Sequence, residues 1–427
     1  MKKINSRKLA YLILKDIEKE KLTVKDSLDK WLSKYKIDNR DENLVRKIVY
    51  GCIENKMLLD YYINQLVNNK PDLDVKILIE IGMYQILFLD KIPNSAAVNE
   101  SVKIIKKINF KAKGFVNGVL RNFIRRKDKL KLKKTKKNYL SLKYSYPSWL
   151  VNYFLDEFGK KKTIEILEFN KNSSDITVRV NSLKLNRKEL IQGFNDYGIK
   201  AKKSKLTKSG IIIKSLNDNS LTNNKLFKEG KFYIQDDASI LVSEILNPKK
   251  GQRVLDVCAA PGGKTTHMAE LMDNTGKIIA RDLNDKKLSL IKENIKRLGY
   301  ENIILEKFNG TKLDKKNIES FDKILLDAPC LGLGIIRRKP EIKYNKKKSD
   351  FNSIINLQKK LLKNSSKLLK KGGHLVYSTC SIGRKENDKI VNEFLNNNKN
   401  FKLELIEKLL PGEKNTDGFF IAKLIKQ

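Results

Sequence analysis

The sequence predicts an α/β protein made of three parts: an all-helical N-terminal segment, a small α+β segment in the middle, and a C-terminal region built on a parallel sheet. Three observations carry this. Apolar residues recur at helical spacing from Ser6 to about Arg126, an alternating strand pattern first appears at Ile176–Val180, and from Phe232 onward strand and helix patterns alternate to the end. A chain of 427 residues exceeds what one core usually serves, and 40% hydrophobic content is enough for folded cores throughout. The boundaries expected are 1–135, 142–230 and 231–427.

In the first part, Leu9, Ile13 and Ile17 mark one helical face, and Ile77, Ile81 and Met83 to Leu87 another. Pro71 and Pro93 separate helices, and Asn94-Ser95 before Ala96, Ala97 and Val98 reads as a capped helix start. The cationic run Arg125 to Lys137 is either a linker or the exposed edge of a helix, and its charges suit phosphate contacts. The second part opens with a turn at Tyr146-Pro147-Ser148-Trp149. It places a helix, Arg187 to Tyr197, between strands Ile176–Val180 and Ile211–Ile213. In the third part the strands are 253–257, 277–280, 303–306, 323–326, 374–377 and 419–424, with helices at 286–298 and 354–369. Strands that alternate with helices imply right-handed crossovers and a parallel sheet.

The net charge is +40, from 89 Lys+Arg against 49 Asp+Glu, and such an excess attracts a polyanion such as RNA. A lysine-rich composition also follows from codon bias, which places Lys on any solvated face. Four cysteines without CxxC spacing exclude a disulfide framework or zinc ribbon and imply reduced, cytoplasmic thiols. A metal held by Cys258, Cys330, Cys380 and His267 lacks any paired-ligand spacing, so no metal is expected. Met1-Lys2-Lys3-Ile4 resembles a signal-peptide entry, but Lys15 and Asp16 close the apolar stretch and leave an amphipathic first helix. Even the apolar run Ile77 to Leu89 is broken by Glu80, so no membrane span is expected.

The chemistry concentrates at strand ends of the third part. After strand 253–257 comes Cys258-Ala259-Ala260-Pro261-Gly262-Gly263-Lys264, then a helix: small residues let the backbone approach a ligand, and the helix start offers free N–H groups. Asp282 ends the next strand, where a carboxylate can accept both hydroxyls of a ribose. The loop therefore describes a nucleoside site, without the GxGxxG or P-loop spacing of dinucleotide or ATP binders. A Gly-Gly turn between strand and helix also occurs in α/β proteins that bind nothing. Cys330 lies in Asp327-Ala328-Pro329-Cys330 and Cys380 in Ser378-Thr379-Cys380-Ser381. In an open α/β sheet, strand ends converge on one crevice, so both thiols can face one ligand. Lys264, Arg337 and Arg338 are the cations available to favour a thiolate. Cysteines at strand ends are also common as buried core residues.

With these motifs in hand, together with Phe232 to Ser239, Gly332 to Pro340 and Asp417-Gly418-Phe419-Phe420, the third part resembles the RNA 5-methylcytosine methyltransferases. Nearly the whole chain is similar to the RsmB (Sun/Fmu) family. The first part resembles NusB RNA-binding domains through Ala97 to Val102 and Phe115 to Arg121. The resemblance implies a Rossmann-like methyltransferase domain, S-adenosyl-L-methionine as cofactor, and 16S ribosomal RNA as substrate, free or in an assembling small subunit. A monomer is the default expectation, and the reduced cysteines place it in the cytoplasm. By the same resemblance, Cys258, Ala259, Ala260, Pro261, Gly262, Gly263, Lys264, Asp282 and Asn309 hold the cofactor, and Asp327 sits beside both the methyl group and the target base. Cys380 is the nucleophile and Cys330 assists product release. Two positions depart from the family pattern: Asn309 stands where an acidic residue is usual, and Leu331 where Ser follows the Pro-Cys. Two other readings stay open: a non-catalytic RNA-binding, antitermination or ribosome-assembly factor, and a nicotinamide-dependent redox enzyme.

Overall fold

The computed structural model describes residues 4–35, 37–130, 132, 138–172, 175–217 and 220–427. It divides into two compact units, Met1–Lys171 with Arg338–Lys346, and Asn172–Arg337 with Lys347–Gln427.

The first unit is helical, with helices Ser6–Glu20, Val24–Leu32, Asn39–Glu54, Lys56–Asn64, Leu73–Phe88, Asn94–Ile108 and Lys113–Arg126, followed by Tyr139–Tyr144 and Ser148–Phe169. Several starts are set by side chains that accept from free backbone N–H groups: Asn5 from Arg7 and Lys8, Thr23 from Asp26, and Asp38 from Asp41. Helix 73–88 is apolar all round and buried from Ile77 through Gln85, as a central helix must be. It carries Glu80 into the core, where burial pushes the carboxyl up to about 7 despite Lys76 at 3.4 Å. Pro71 and Pro93 fall between helices as read. Asn94, however, is the first helical residue rather than the cap, and Pro93 stands at the cap position without a side-chain bond. Pro147 likewise opens the helical segment 148–169, which is kinked at Gly159 (φ +73°), so the expected turn is a helix entry. Of the cationic run, Arg125 and Arg126 close a helix, while 131 and 133–137 lie outside the described residues.

Segment 338–346 is embedded in this helical unit. Lys343 Nζ donates to Glu54 O at 2.9 Å and lies 4.7 Å from the centre of the Tyr146 ring, Tyr344 OH donates to Ser145 O at 3.0 Å, and Val24 N donates to Glu341 Oε1 at 3.3 Å. Burial, only partly offset by Glu54, lowers the Lys343 ammonium to about 7.

The second unit holds two sheets. The small one, in order β2-β3-β1-β4, is antiparallel and made of β1 (Ile176–Val180), β2 (Lys200–Lys203), β3 (Gly210–Ser215) and β4 (Phe232–Ile234). The large one contains β5 (Arg253–Asp256), β6 (Lys277–Asp282), β7 (Ile303–Lys307), β8 (Phe321–Asp327), β9 (Leu369–Thr379), β10 (Phe401–Leu409) and β11 (Phe419–Lys426), in order β10-β11-β9-β8-β5-β6-β7. Strands β5 to β9 are parallel and carry the expected crossovers; β10 and β11 run antiparallel, so the sheet is mixed and Rossmann-like rather than wholly parallel. The missed strand, β10, is an edge strand whose charged residues Lys402, Glu404, Glu407 and Lys408 mask its apolar alternation.

Successive residues of each strand face opposite cores. Val254, Ile278, Leu325, Val376 and Ile421 pack with helices 237–246 and 263–271, whereas Leu255, Ile279, Leu326, Tyr377 and Phe420 pack with helices 350–368 and 388–397. Among the described residues no helix is long and apolar enough to cross a membrane.

One buried cation ties the two sheets together. Arg179 on β1, 1% exposed, donates from Nε to Glu270 Oε2 at 3.2 Å and from Nη1 to Gln235 Oε1 at 2.5 Å and Gly263 O at 2.6 Å. Its Nη2 donates to Thr266 Oγ1 at 3.1 Å. Glu270 is itself buried and accepts from Ser182 and Tyr300. Removing one partner strands the other charge in the interior, which costs about 3–5 kcal/mol. Arg179→Met therefore lowers the stability of the second unit by that amount in urea unfolding; a midpoint unchanged from wild type would show that the clamp does not hold the sheets.

Candidate active site

The site begins where β5 ends. Thr265 Oγ1 donates to Asp256 Oδ2 at 2.7 Å, and the turn that follows is pinned by Ala259 N on Arg281 O and Gly262 N on Ala259 O, both at 2.8 Å. Gly262 has φ +99°, open to glycine, and a Cβ there would press on Ile291 at 3.0 Å; a Cβ at Gly263 would meet the Tyr233 ring at 3.0 Å. The turn thus presents bare backbone, and helix 263–271 starts directly behind it with unpaired N–H groups. Ala259 and Ala260 pack on Ala280 and Ile291, and Pro261 O accepts from Asn294. Cys258 is packed against the core under the sheet, and burial first, then Asp256, keeps its thiol well above the ordinary range, so it contributes shape rather than a nucleophile.

Asp282 is the last residue of β6, and Phe308 N donates to its backbone carbonyl at 3.2 Å, which sets Asn309 at the adjacent end of β7. The Asn309 side-chain oxygen accepts from Thr311 N and Oγ1, at 3.0 and 2.7 Å. The strand-end turn, Asp282 and Asn309 lie at the carboxyl edge of the sheet, where open α/β sheets bind ligands. Small side chains, bare amides and a strand-end carboxylate are groups that suit a nucleoside.

The parallel register between β8 and β9 aligns Asp327 with Ser378. From there each strand leads to a cysteine, and Cys330 Sγ and Cys380 Sγ lie 3.3 Å apart. Asp327 Oδ2 accepts from Lys264 Nζ at 2.6 Å and Oδ1 from Ser378 Oγ at 2.8 Å. Burial alone would lower the Lys264 ammonium, but Asp327 outweighs it, with a smaller contribution from Cys380, so Lys264 stays firmly cationic beside the sulfur. The Cys330 thiol is pushed well above its ordinary value, first by its hydrogen bond to Cys380 and then by burial. Of the other cations, Arg337 is buried against Asp417 at 3.2 Å, and Arg338 opens the segment that belongs to the helical unit. Lys264 is therefore the cation that the geometry sets among the site residues.

Sequence reasoning missed the acid that holds the two cysteine loops. Glu386, fully buried, accepts from Leu331 N at 2.8 Å and Ser381 Oγ at 2.6 Å, one residue beyond each cysteine; Gln358 Nε2 donates to it at 3.3 Å and to Pro329 O at 2.9 Å. The Leu331 departure is thus carried by its backbone N–H. Asn387 adds a second brace, accepting from Thr379 Oγ1 and donating to Ser381 O. Gly334 N donates to Cys380 O at 2.9 Å, and a Cβ at Gly334 would lie 2.1 Å from Gly418 O, so only glycine fits. The spacing of Glu386 behind Cys380, in Cys-Ser-Ile-Gly-Arg-Lys-Glu-Asn, was the available signal.

Comparison with known proteins agrees with this fold. Residues 243–425 match the family model "16S rRNA methyltransferase RsmB/F", 4–125 the NusB family, and 146–218 the ferredoxin-like domain of RsmF/B-type methyltransferases. The probable ribosomal RNA small subunit methyltransferase B of Bacillus subtilis is 34% identical over 100% of both chains. The crystal structure of PH0851 is 29% identical with TM-score 0.84 over 100% of both chains. The structure of NSun6 from Pyrococcus horikoshii with SFG, an S-adenosylmethionine analogue, is 27% identical with TM-score 0.61, covering 66% of this chain and 98% of its own. Fold and site together define a methyltransferase with a Rossmann-like domain that uses S-adenosylmethionine. Within that class, the chain belongs to the RsmB family of ribosomal RNA small subunit methyltransferases.

Asp256 offers a test of how tightly this site is closed. Burial raises its carboxyl to about 7, only partly countered by Thr265. Unfolded, an aspartate releases its proton near pH ~4. The folded state therefore keeps a proton that the unfolded state has lost between these values, and stability falls as pH rises from about 4 to 7. Asp256→Asn, which keeps the acceptor for Thr265, makes that decline shallower in melting curves across the window; an unaltered slope would refute burial as the cause.

Proposed function

We propose that the protein methylates carbon 5 of a cytosine in 16S ribosomal RNA, through a covalent bond between Cys380 and carbon 6. The observation that carries this reading is the 3.3 Å separation of the Cys330 and Cys380 sulfurs beside Asp327 and Lys264. A simple transfer to a heteroatom needs no nucleophile from the enzyme; two adjacent thiols suit a reaction that must form and then break a bond to the enzyme.

Carbon 5 of cytosine is too poor a nucleophile to be methylated directly. Addition of the Cys380 thiolate to carbon 6 makes an enamine whose carbon 5 attacks. S-adenosylmethionine supplies the electrophilic methyl group. Cys258 to Lys264, Asp282 and Asn309 are the residues that would hold it, with Asp327 between it and the base. Negative charge grows at N3 and O2 of the ring during addition, and the Lys264 ammonium is the preorganised charge that opposes it. Asp327 presents two oxygens that already accept from Lys264 and Ser378. Its remaining lone pairs suit the exocyclic amine of cytosine.

After methylation, the carbon-5 proton and Cys380 must both leave. A base takes the carbon-5 proton and passes it to solvent, and the Cys380–carbon 6 bond breaks with its electron pair on sulfur, so Cys380 leaves as the thiolate that attacked; the Cys330 thiol, 3.3 Å away, hydrogen-bonds the departing sulfur. The base must be unstacked to reach the site, at a cost of a few kcal/mol unless it is already single stranded. Phosphate contacts from a +40 chain offset that cost and weaken with salt. The naming of the relatives as ribosomal RNA small subunit methyltransferases supports this substrate and, with it, a cytoplasmic place of work.

Cys380→Ala abolishes methylation, read as loss of 5-methylcytosine in bisulfite-sequenced ribosomal RNA, whereas Cys330→Ala accumulates a protein–RNA adduct that survives denaturing electrophoresis. Methylation at the wild-type rate by Cys380→Ala, or clean turnover by Cys330→Ala, overturns the assignment.

A further inference from the structure

We propose that Cys330 and Cys380 form a reversible redox couple: a hydroperoxide oxidises Cys380, and Cys330 resolves it as an intramolecular disulfide that arrests the enzyme. The bond rests on geometry alone; only the arrest rests on reading Cys380 as the nucleophile.

The two sulfurs already touch at 3.3 Å, and a disulfide needs about 2.05 Å. Rotation of two side chains closes that gap if the backbone is already in place, and here it is. Leu331 N and Ser381 Oγ hang on the two oxygens of one buried carboxylate, Glu386, and Gly334 N bonds Cys380 O. Bridges that require backbone movement store strain; this one joins loops that are cross-braced from the following residue onward. Both cysteines are partly exposed, as is Cys258, so a small oxidant reaches them, whereas Cys52 is buried; only Cys330 and Cys380 have a second sulfur in contact. Cys258 is packed into the core beneath the sheet, and burial holds both it and Cys52 in the thiol form.

The chemistry balances in two steps. The Cys380 thiolate, with the Lys264 ammonium in electrostatic reach, attacks one peroxide oxygen, giving sulfenic acid and releasing hydroxide or alkoxide. The Cys330 thiol then attacks the sulfenic sulfur, its proton leaving with the hydroxyl as water, and the S–S bond forms. Two electrons pass from the sulfur pair to the peroxide. A dithiol reverses the reaction by exchange. Without Cys330, the sulfenic acid has no resolving partner and proceeds to sulfinic acid, which thiols do not reduce. Cys330 therefore makes oxidation of the nucleophile recoverable.

The test uses the full chain without RNA. After hydrogen peroxide and denaturation, free thiols fall from four to two, peptide mapping finds the Cys330–Cys380 link, and dithiothreitol restores both thiols and methylation. In Cys330→Ala the same treatment removes the ability to form the RNA adduct, and dithiothreitol does not restore it. Thiols that stay at four while activity falls, or a link to Cys52, Cys258 or a second chain, overturn the proposal. If the disulfide forms but Cys380→Ala still methylates, the couple stands and the catalytic reading falls. If Cys380→Ala is inactive and no disulfide forms, the reverse holds.

Discussion

The pairing of β8 with β9 is the constraint on which the site depends. A parallel ladder that sets Asp327 against Ser378 fixes where both strands end, and each then needs only two or three residues to bring its sulfur to the same point. A slip of one residue would turn Asp327 into the core and separate the thiols, because neighbouring strand residues face opposite sides. The apolar residues before the site, Ile324 to Leu326 on β8 and Leu375 to Tyr377 on β9, hold that register by packing into two different cores at once. Reactive chemistry at the strand ends is thus positioned by the least reactive part of the chain.

A second feature is how much charge lies inside the second unit. Arg179 with Glu270, Arg337 with Asp417, and Glu386 on its backbone and hydroxyl donors are all buried. Burying charges is costly, and apolar residues of equal volume often serve stability as well or better. What an ionic clamp supplies is direction: each bond has one donor and one acceptor in one geometry. Around the site, the clamps fix loops that carry glycines and no regular structure, where apolar packing would allow several arrangements.

Much of this was legible in the sequence, for physical reasons. Strands β5, β6, β8 and β9 are buried on both faces and read as plain apolar runs, and the turns after them carry Gly, Pro or Cys in short distinct patterns. The helical part followed from its periodicity. Edge and short strands did not: β2 is Lys-Ala-Lys-Lys and mostly exposed, β4 has three residues, and β10 carries charge along its solvent side. The clamps were also invisible, because Arg179 and Glu270 lie 91 residues apart and nothing local marks an arginine that will be buried. Glu386 was within reach of reading, but a lone Glu in a polar stretch looks like any solvated residue until the backbone folds round it.

The placement of segment 338–346 decides how the protein can be divided. The backbone passes from one compact unit to the other after Lys171, back after Arg337, and across again after Lys346. Proteolysis between residues 171 and 172 would leave the N-terminal piece without a strip of its own interior, while the C-terminal piece would carry that strip as an orphaned loop, with Lys343 and Tyr344 stripped of Glu54 and Ser145. Neither fragment is then a self-contained module. The first unit is completed only by residues that follow Arg337, so a cut that respects chain order cannot separate the two intact.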